Sequence, residues 1–185
     1  MNMIKIAAVG AVALFASLAS AEKAPESVER LAPTLKAWGE NPILVAAVKA
    51  QNAKGESLDQ IKQLDASWRA TSGVDDFMRS LLESDTAKEL AKLETSKPYF
   101  FELFLMDNQG ANVAMTNKTS DYWQGDEAKF TESFKGGNGA IHIGDVEFDE
   151  SAQAYLVQIS VPVMDGGSAV GAMTIGVNID QLEAQ

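Results

Sequence analysis

The chain has 185 residues, a formal net charge of −11 at neutral pH and no cysteine. This length is enough for one domain with its own hydrophobic core, and the lack of cysteine excludes disulfides, thiolate metal sites and cysteine nucleophiles. The acidic balance argues against nucleic acid and anionic membranes as partners, because the long-range field of the protein repels both.

The first 21 residues have the pattern of a secretory signal peptide. Lys5 supplies the positive charge, residues 6–18 form a short apolar run, and Ala19-Ser20-Ala21 fits a small-residue cleavage site. We expect cleavage after this site and export to a bacterial periplasm. An N-terminal anchor that stays uncleaved is the alternative, although the apolar run is short for a membrane span.

Residues 22–97 have the periodicity of helices. Apolar side chains recur at three- and four-residue spacing, Asn41 precedes a proline as at a helix start, and a capping box begins at Ser57. Trp38 and Trp68 lie on apolar helical stripes, so we expect them in the core.

Residues 98–185 change to the two-residue period of β-strands. Five strand candidates are separated by turn sequences: residues 100–106, 112–116, 140–148, 154–164 and 169–179. In the last two, one face is continuously apolar and the other is small and polar, including Gln158 and Thr174. Helices followed by a meander of strands predict an α+β domain with helices on one sheet face. The polar face is either the lining of a cavity or a solvated surface.

The loop of residues 119–129 follows the second strand candidate. It contains two adjacent aromatics, Tyr122 and Trp123, together with acids that include Asp126. Aromatic faces beside carboxylates can hold a small cationic or polyhydroxylated molecule. The alternative is a surface loop whose aromatics complete the core and whose acids are solvated.

Motifs for catalysis and metal binding are weak. His142 is the only histidine and has no oriented second group, and residues 107–118 depart from a calcium loop at the glycine and at the last ligand position. The acidic run of residues 145–150 could hold a hard cation, but a charged strand edge is the commoner cause of such a run. We therefore expect no enzyme, no cofactor and no metal site. A small hydrolase with Asp126 or His142 as acid or base is the least favoured alternative.

Three segments together resemble the extracytoplasmic PAS-like sensor family known as Cache or PDC domains, in its single-module form. They are residues 104–114 around Asp107 and Gly110, the loop of residues 119–127, and a closing hairpin from Ser160 to residue 177. The resemblance implies a five-stranded antiparallel sheet packed on a long helical N-terminal segment, residues 22–97. It also implies a small-molecule pocket between the other sheet face and the loops after the second strand.

The same resemblance implies a periplasmic sensing or binding module. The module would relay to a separate membrane-bound sensor kinase, cyclase or chemoreceptor, and a homodimer through the N-terminal helix is a further option. Family members that bind amino acids grip the carboxylate with an arginine in this loop, but here no arginine follows Arg79. We therefore expect a cationic or amine-bearing ligand.

The predicted ligand site combines the loop with the polar sheet face. It consists of Tyr122 and Trp123 as platform, Asp126 as counter-ion, Gln158 and Thr174 as polar anchors, and Asp149 as a further candidate. The hypothesised mechanism is closure of the Trp123 loop over the ligand, which shifts a pre-existing equilibrium. The alternative function is an interaction or structural protein with a vestigial pocket, whose helical half docks a partner.

Overall fold

A computed structural model describes residues 23–150 and 152–185. The predicted signal peptide, residues 1–21, lies outside the described residues. In the part of the chain that is described, no helix has both the length and the apolar character that a bilayer crossing needs.

The N-terminal half is helical, as its periodicity predicts. Its helices are α1 (Glu26–Leu35), α2 (Pro42–Asn52), α3 (Leu58–Ala70), α4 (Asp76–Leu82) and α5 (Asp85–Glu94). Polar side chains cap the starts of the last four and satisfy N–H groups there: Asn41, Ser57, Asp75 and Ser84. The capping box predicted at Ser57 is complete.

The C-terminal half contains one sheet of five antiparallel strands. They are β1 (Phe100–Met106), β2 (Asn112–Met115), β3 (His142–Asp149), β4 (Ala154–Asp165) and β5 (Ser168–Asn178), with α6 (Ala128–Phe134) before β3 and α7 (Ile179–Glu183) after β5. Their order across the sheet is β2-β1-β5-β4-β3, so the first and last strands are neighbours at the centre. This order confirms the predicted PAS-like α+β fold.

The long N-terminal helix implied by the resemblance is interrupted. A short 3-10 turn, Lys36–Glu40, separates α1 from α2. Gly39 in this turn lies directly on β4, where a Cβ atom would overlap the carbonyl oxygen of Pro162. The backbone thus approaches the sheet more closely than a continuous helix with side chains could.

One sheet face forms the main core. Its β4 and β5 side chains are those that the alternation predicts, including Val157, Ile159 and Ile175, all fully buried. They pack with buried residues of α1, α2 and α5. Alternation along a strand therefore assigned this face correctly.

The expectation that the helices lie on one face only is wrong. A second buried cluster joins Phe104 and Met106 of β1 with Trp68 of α3, Met78 of α4 and Phe130 of α6. These strand residues belong to the opposite face from the main core, so α3, α4 and α6 cover part of the face predicted to be polar. A polar cleft is left only where this cluster ends.

Candidate functional site

The predicted site residues divide between two clefts and the core. Trp123 and Asp126 belong to the loop cleft, which is lined by Lys62, Asp65, Arg69, Asp121, Trp123, Asp126 and Glu127. Asp149 and Gln158 belong to the sheet cleft, whose walls include Glu102, Phe104, Gln124, Lys129, Asp149 and Gln158. Tyr122 and Thr174 lie in the core.

Tyr122 and Thr174 are buried and make contacts inside the core, and their predicted ligand role stays a prediction. The Tyr122 ring is 1% exposed, and its centroid is 5.8 Å from that of Trp68 and 5.3 Å from that of Phe77. Burial raises the pKa of its phenol. Thr174 is fully buried and its hydroxyl bonds to that of Ser160 at 2.8 Å. Neither side chain presents a free surface to a ligand.

The segment around Trp123 is held in place by hydrogen bonds. The buried carboxylate of Asp65 accepts the backbone N–H groups of Tyr122 at 2.9 Å and of Trp123 at 3.1 Å. The indole Nε1 of Trp123 donates to the carbonyl oxygen of Gln109 at 2.7 Å. These bonds fix both the backbone and the ring of Trp123, and the hypothesised closure of this loop stays a prediction.

The loop cleft, of about 530 Å³, contains cationic partners for part of its lining. The ammonium of Lys62 stands 4.6 Å from the centroid of the Trp123 ring. Arg69 pairs with Asp65 at 3.0 Å and with Asp121 at 3.6 Å. The ring face and two of the acids thus already have cationic partners. A ligand role for Trp123 and for the exposed Asp126 stays a prediction.

Glu102 is the centre of the sheet cleft. Its side chain crosses β5 above Gly176, where a Cβ atom would lie 2.8 Å from Cγ of Glu102. On the far side of β5, Nε2 of Gln158 donates to Oε1 of Glu102 at 3.0 Å. The missing side chain at Gly176 therefore lets residues of β1 and β4, two strands apart, share a hydrogen bond.

Lys118, Lys129 and Asp149 add further charges to the walls of this cleft. The Lys129 ammonium lies 5.6 Å from the centroid of the Phe104 ring and 3.0 Å from Oε2 of Glu127. Asp149, at the end of β3, accepts the backbone N–H of Ala152 at 2.8 Å. The cleft has a volume of about 270 Å³ and continues past Lys129 into a recess of about 330 Å³ that contains His142. These volumes suit a small ligand.

The electrostatics of the sheet cleft centre on the same carboxyl. Burial raises the pKa of Glu102, the negative charge of Asp149 raises it further, and the hydrogen bond from Gln158 and the charge of Lys129 oppose the rise. The pKa of Glu102 is therefore raised because burial outweighs the opposing effects of Gln158 and Lys129.

Sequence reasoning did not single out Glu102, Lys129 or Gly176. A signal for Glu102 was present, because it is the only charged residue in the otherwise apolar β1. The role of Gly176 had no such signal, since it depends on a side chain from a neighbouring strand. Among the described residues, no group of three or more His, Asp or Glu side chains is placed to hold a metal ion.

No protein-family model matches the chain, and no curated protein is significantly similar to it. Solved structures with a similar arrangement are sensor or ligand-binding domains. The sensor domain of the V. cholerae histidine kinase DctB is 13% identical with a TM-score of 0.43, over 86% of this chain and 50% of that one. The sensory domain of the Campylobacter jejuni chemoreceptor Tlp3 has the same identity and TM-score, over 86% and 65%.

A third similar structure is the ligand-binding domain of the Pseudomonas aeruginosa amino acid chemoreceptor PctC in complex with GABA. It is 13% identical with a TM-score of 0.38, over 85% of this chain and 64% of that one. The chain therefore spans between half and about two thirds of the length of these three solved chains. All three are sensor or ligand-binding domains, while the fold assignment rests on the strand order itself.

Proposed function

We propose that this chain is a small-molecule sensing or binding module of the Cache type, and that a cationic or amine-bearing ligand binds in the sheet cleft. The observation that carries the proposal is the state of Glu102. Its carboxyl is partly buried, burial raises its pKa, and its closest contact is the neutral amide of Gln158. A ligand ammonium beside Glu102 would form a charge-assisted hydrogen bond that the unliganded protein lacks.

The walls around Glu102 suit the same ligand chemistry. Asp149 adds a second negative charge to the cleft, and Gln158 adds a polar amide. The ring of Phe104 already has the ammonium of Lys129 near it. That ring therefore already has a cationic partner, as the Trp123 ring does in the loop cleft, and the attraction for a ligand ammonium rests on Glu102.

The proposed setting follows from the sequence. Residues 1–21 would direct export, and the mature module would act in the periplasm. It would pass its signal to a membrane-bound sensor kinase, cyclase or chemoreceptor, because a binding domain alone changes nothing inside the cell. The role is non-enzymatic: Asp126 lines the loop cleft and His142 lines the recess beside the sheet cleft, so the two candidate catalytic groups do not share a site.

A thermal-shift screen tests this proposal. Amines, amino acids, organic acids and purines are compared for the rise in melting temperature that a ligand of the folded state produces. We expect compounds with an amine to stabilise the protein and to lose this effect in Glu102→Gln. Native mass spectrometry of the purified protein would identify a retained ligand. Stabilisation by organic acids alone, or an unchanged response of Glu102→Gln, would overturn the proposal.

A further inference from the structure

The two edge strands of the sheet differ in whether another segment of the chain pairs with their outer side. At the β2 edge, Ala111 forms a bridge with Trp123, and the N–H of Asn112 donates to the carbonyl oxygen of Tyr122 at 3.0 Å. At the opposite edge, β3 pairs with β4 and with no other strand among the described residues. The outward N–H and C=O groups of β3 are therefore a template for one more strand.

An aromatic pair is exposed beside the β3 edge. Phe148 of β3 and Tyr155 of β4 are cross-strand partners, 51% and 53% exposed, with ring centroids 5.3 Å apart in a T-shaped arrangement. They are the most exposed large apolar side chains in the described chain. A strand edge that only needs protection from water would carry polar residues at these positions, so the ring pair favours an interaction surface.

The charge of the same edge selects among partners. Asp145, Glu147 and Glu150 are exposed along it. A second copy of this acidic chain, pairing edge to edge, would bring these carboxylates close to their own kind, which is unfavourable. A partner strand with basic side chains would instead bring positive charges close to these carboxylates, which is favourable.

The alternation of β3 also specifies the pattern of a partner strand. Phe148 faces the same side of the sheet as its partner Tyr155, whereas Glu147 faces the other side, opposite Leu156. A strand added to the edge would place its own side chains alternately beside these two faces. Its apolar residues would lie beside Phe148 and its basic residues beside Glu147.

We infer that the β3 edge binds an extended segment of a partner protein in which lysine or arginine alternates with apolar residues. The segment adds a sixth strand to the sheet through main-chain hydrogen bonds. The ring pair and Glu147 decide which sequences are accepted. Glu147 also lines the recess beside the sheet cleft, but the added strand makes no use of Glu102, so Glu102→Gln separates peptide binding from ligand binding.

The first test uses a synthetic peptide of eight residues, the length of β3, in which lysine alternates with valine. We expect it to bind the purified protein at low salt about tenfold more tightly than a peptide of four lysines followed by four valines, because only alternation matches both faces. Hydrogen exchange should slow at the amides of β3. Equal affinity of the two peptides would show that net charge alone is recognised and would overturn the inference.

N-methylation separates the main-chain contacts from the side-chain contacts. Alternate N–H groups of a strand point to opposite edges, so one set faces β3 and the other faces solvent. Methylation of one set should abolish binding, while methylation of the other set should leave it intact. If both methylated peptides bind like the parent peptide, or if both fail, the added-strand geometry is wrong.

Protein variants locate the surface. Glu147→Lys should weaken peptide binding about tenfold and Phe148→Ala severalfold, whereas Asp59→Lys, an equal charge change on the exposed first turn of α3, should have little effect. Glu102→Gln should bind the peptide like the parent. Melting temperatures confirm that each variant is folded. Equal losses in Asp59→Lys and Glu147→Lys, or dimerisation of the parent that Phe148→Ala removes, would overturn the inference.

Discussion

The two clefts contain similar groups but differ in how their charges are compensated. Each has a lysine ammonium beside an aromatic ring: Lys62 at Trp123 in the loop cleft and Lys129 at Phe104 in the sheet cleft. In the loop cleft, Arg69 pairs with two of the acids. In the sheet cleft, Glu102 has a raised pKa, and its hydrogen-bond partner among the described residues is the amide of Gln158.

This difference teaches that residue composition alone is a poor guide to a binding site. In the stretch with adjacent aromatics and acids, several polar side chains bind the backbone, and its ligand role stays a prediction. The cleft that contains Glu102 is assembled from separate strands and one helix. The predictions below test this contrast, in order of decreasing expected effect.

Asp65→Ala should cause the largest change, because Asp65 supports the wall that lies between the clefts. Its removal leaves the N–H groups of Tyr122 and Trp123 without their acceptor and Arg69 without its closest partner. We expect the free energy of unfolding to fall by about 3 kcal/mol in chemical denaturation. Asp126→Ala is the matched control and should change it by less than about 0.5 kcal/mol. Similar losses of unfolding free energy in Asp65→Ala and Asp126→Ala would show that the bonds from Asp65 do not hold the loop in place.

Gly176→Ala should affect the sheet cleft without changing its charge. The added methyl group would lie 2.8 Å from Cγ of Glu102 and push that side chain away from Gln158. We expect about a tenfold weaker affinity for the amine ligand in titration calorimetry, corresponding to about 1.4 kcal/mol. Gly144→Ala, where the nearest contact is 3.4 Å, serves as control. An unchanged affinity would mean that the position of Glu102 does not matter.

Trp123→Phe should affect stability but not ligand binding. The substitution keeps an aromatic ring but removes the indole N–H that donates to Gln109. We expect the free energy of unfolding to fall by about 1 kcal/mol, while the affinity for the amine ligand stays within about twofold of the parent. A tenfold loss of affinity would indicate that the amine ligand binds in the loop cleft, beside Trp123.

The pH dependence of stability should show the smallest effect. Because the pKa of Glu102 is raised on folding, the folded chain holds this proton to a higher pH than the unfolded chain does. The contribution of protonated Glu102 to stability is complete below the pKa that this group has in the unfolded chain. It is lost as the pH rises through the pKa that the group has in the folded chain. Glu102→Gln should therefore melt at a higher temperature than the parent at neutral pH, with the difference vanishing below about pH 4. If Glu102→Gln melted at a lower temperature than the parent at neutral pH, the raised pKa of Glu102 would be contradicted.

Much of the fold was predictable because alternation and capping are local signals. The five strands lie within about two residues of their predicted bounds, and the caps at Asn41 and Ser57 are in place. The break at Gly39 and the helices on the second sheet face were missed, because both depend on contacts between distant segments. Ile179 continues the strand alternation, but Asn178 caps a helix there instead.

The site was predictable only in part. Gln158 lines the sheet cleft because strand alternation places it on the polar face, and its ligand role, like that of Asp149, stays a prediction. Tyr122 and Trp123 are adjacent in the chain, yet one is in the core and the other lines a cleft. A loop has no period from which such a difference could be read, and no sequence pattern indicates that Glu102 crosses β5.

The most direct test of the account compares one acid from each cleft. The amine with the largest thermal shift is titrated calorimetrically into the parent, Glu102→Gln and Asp126→Asn at neutral pH. Loss of a charged partner in a partly buried site costs about 2 kcal/mol or more, so Glu102→Gln should bind at least about thirtyfold more weakly while Asp126→Asn binds like the parent. The reverse result, with binding lost in Asp126→Asn and kept in Glu102→Gln, would contradict the assignment of the sheet cleft.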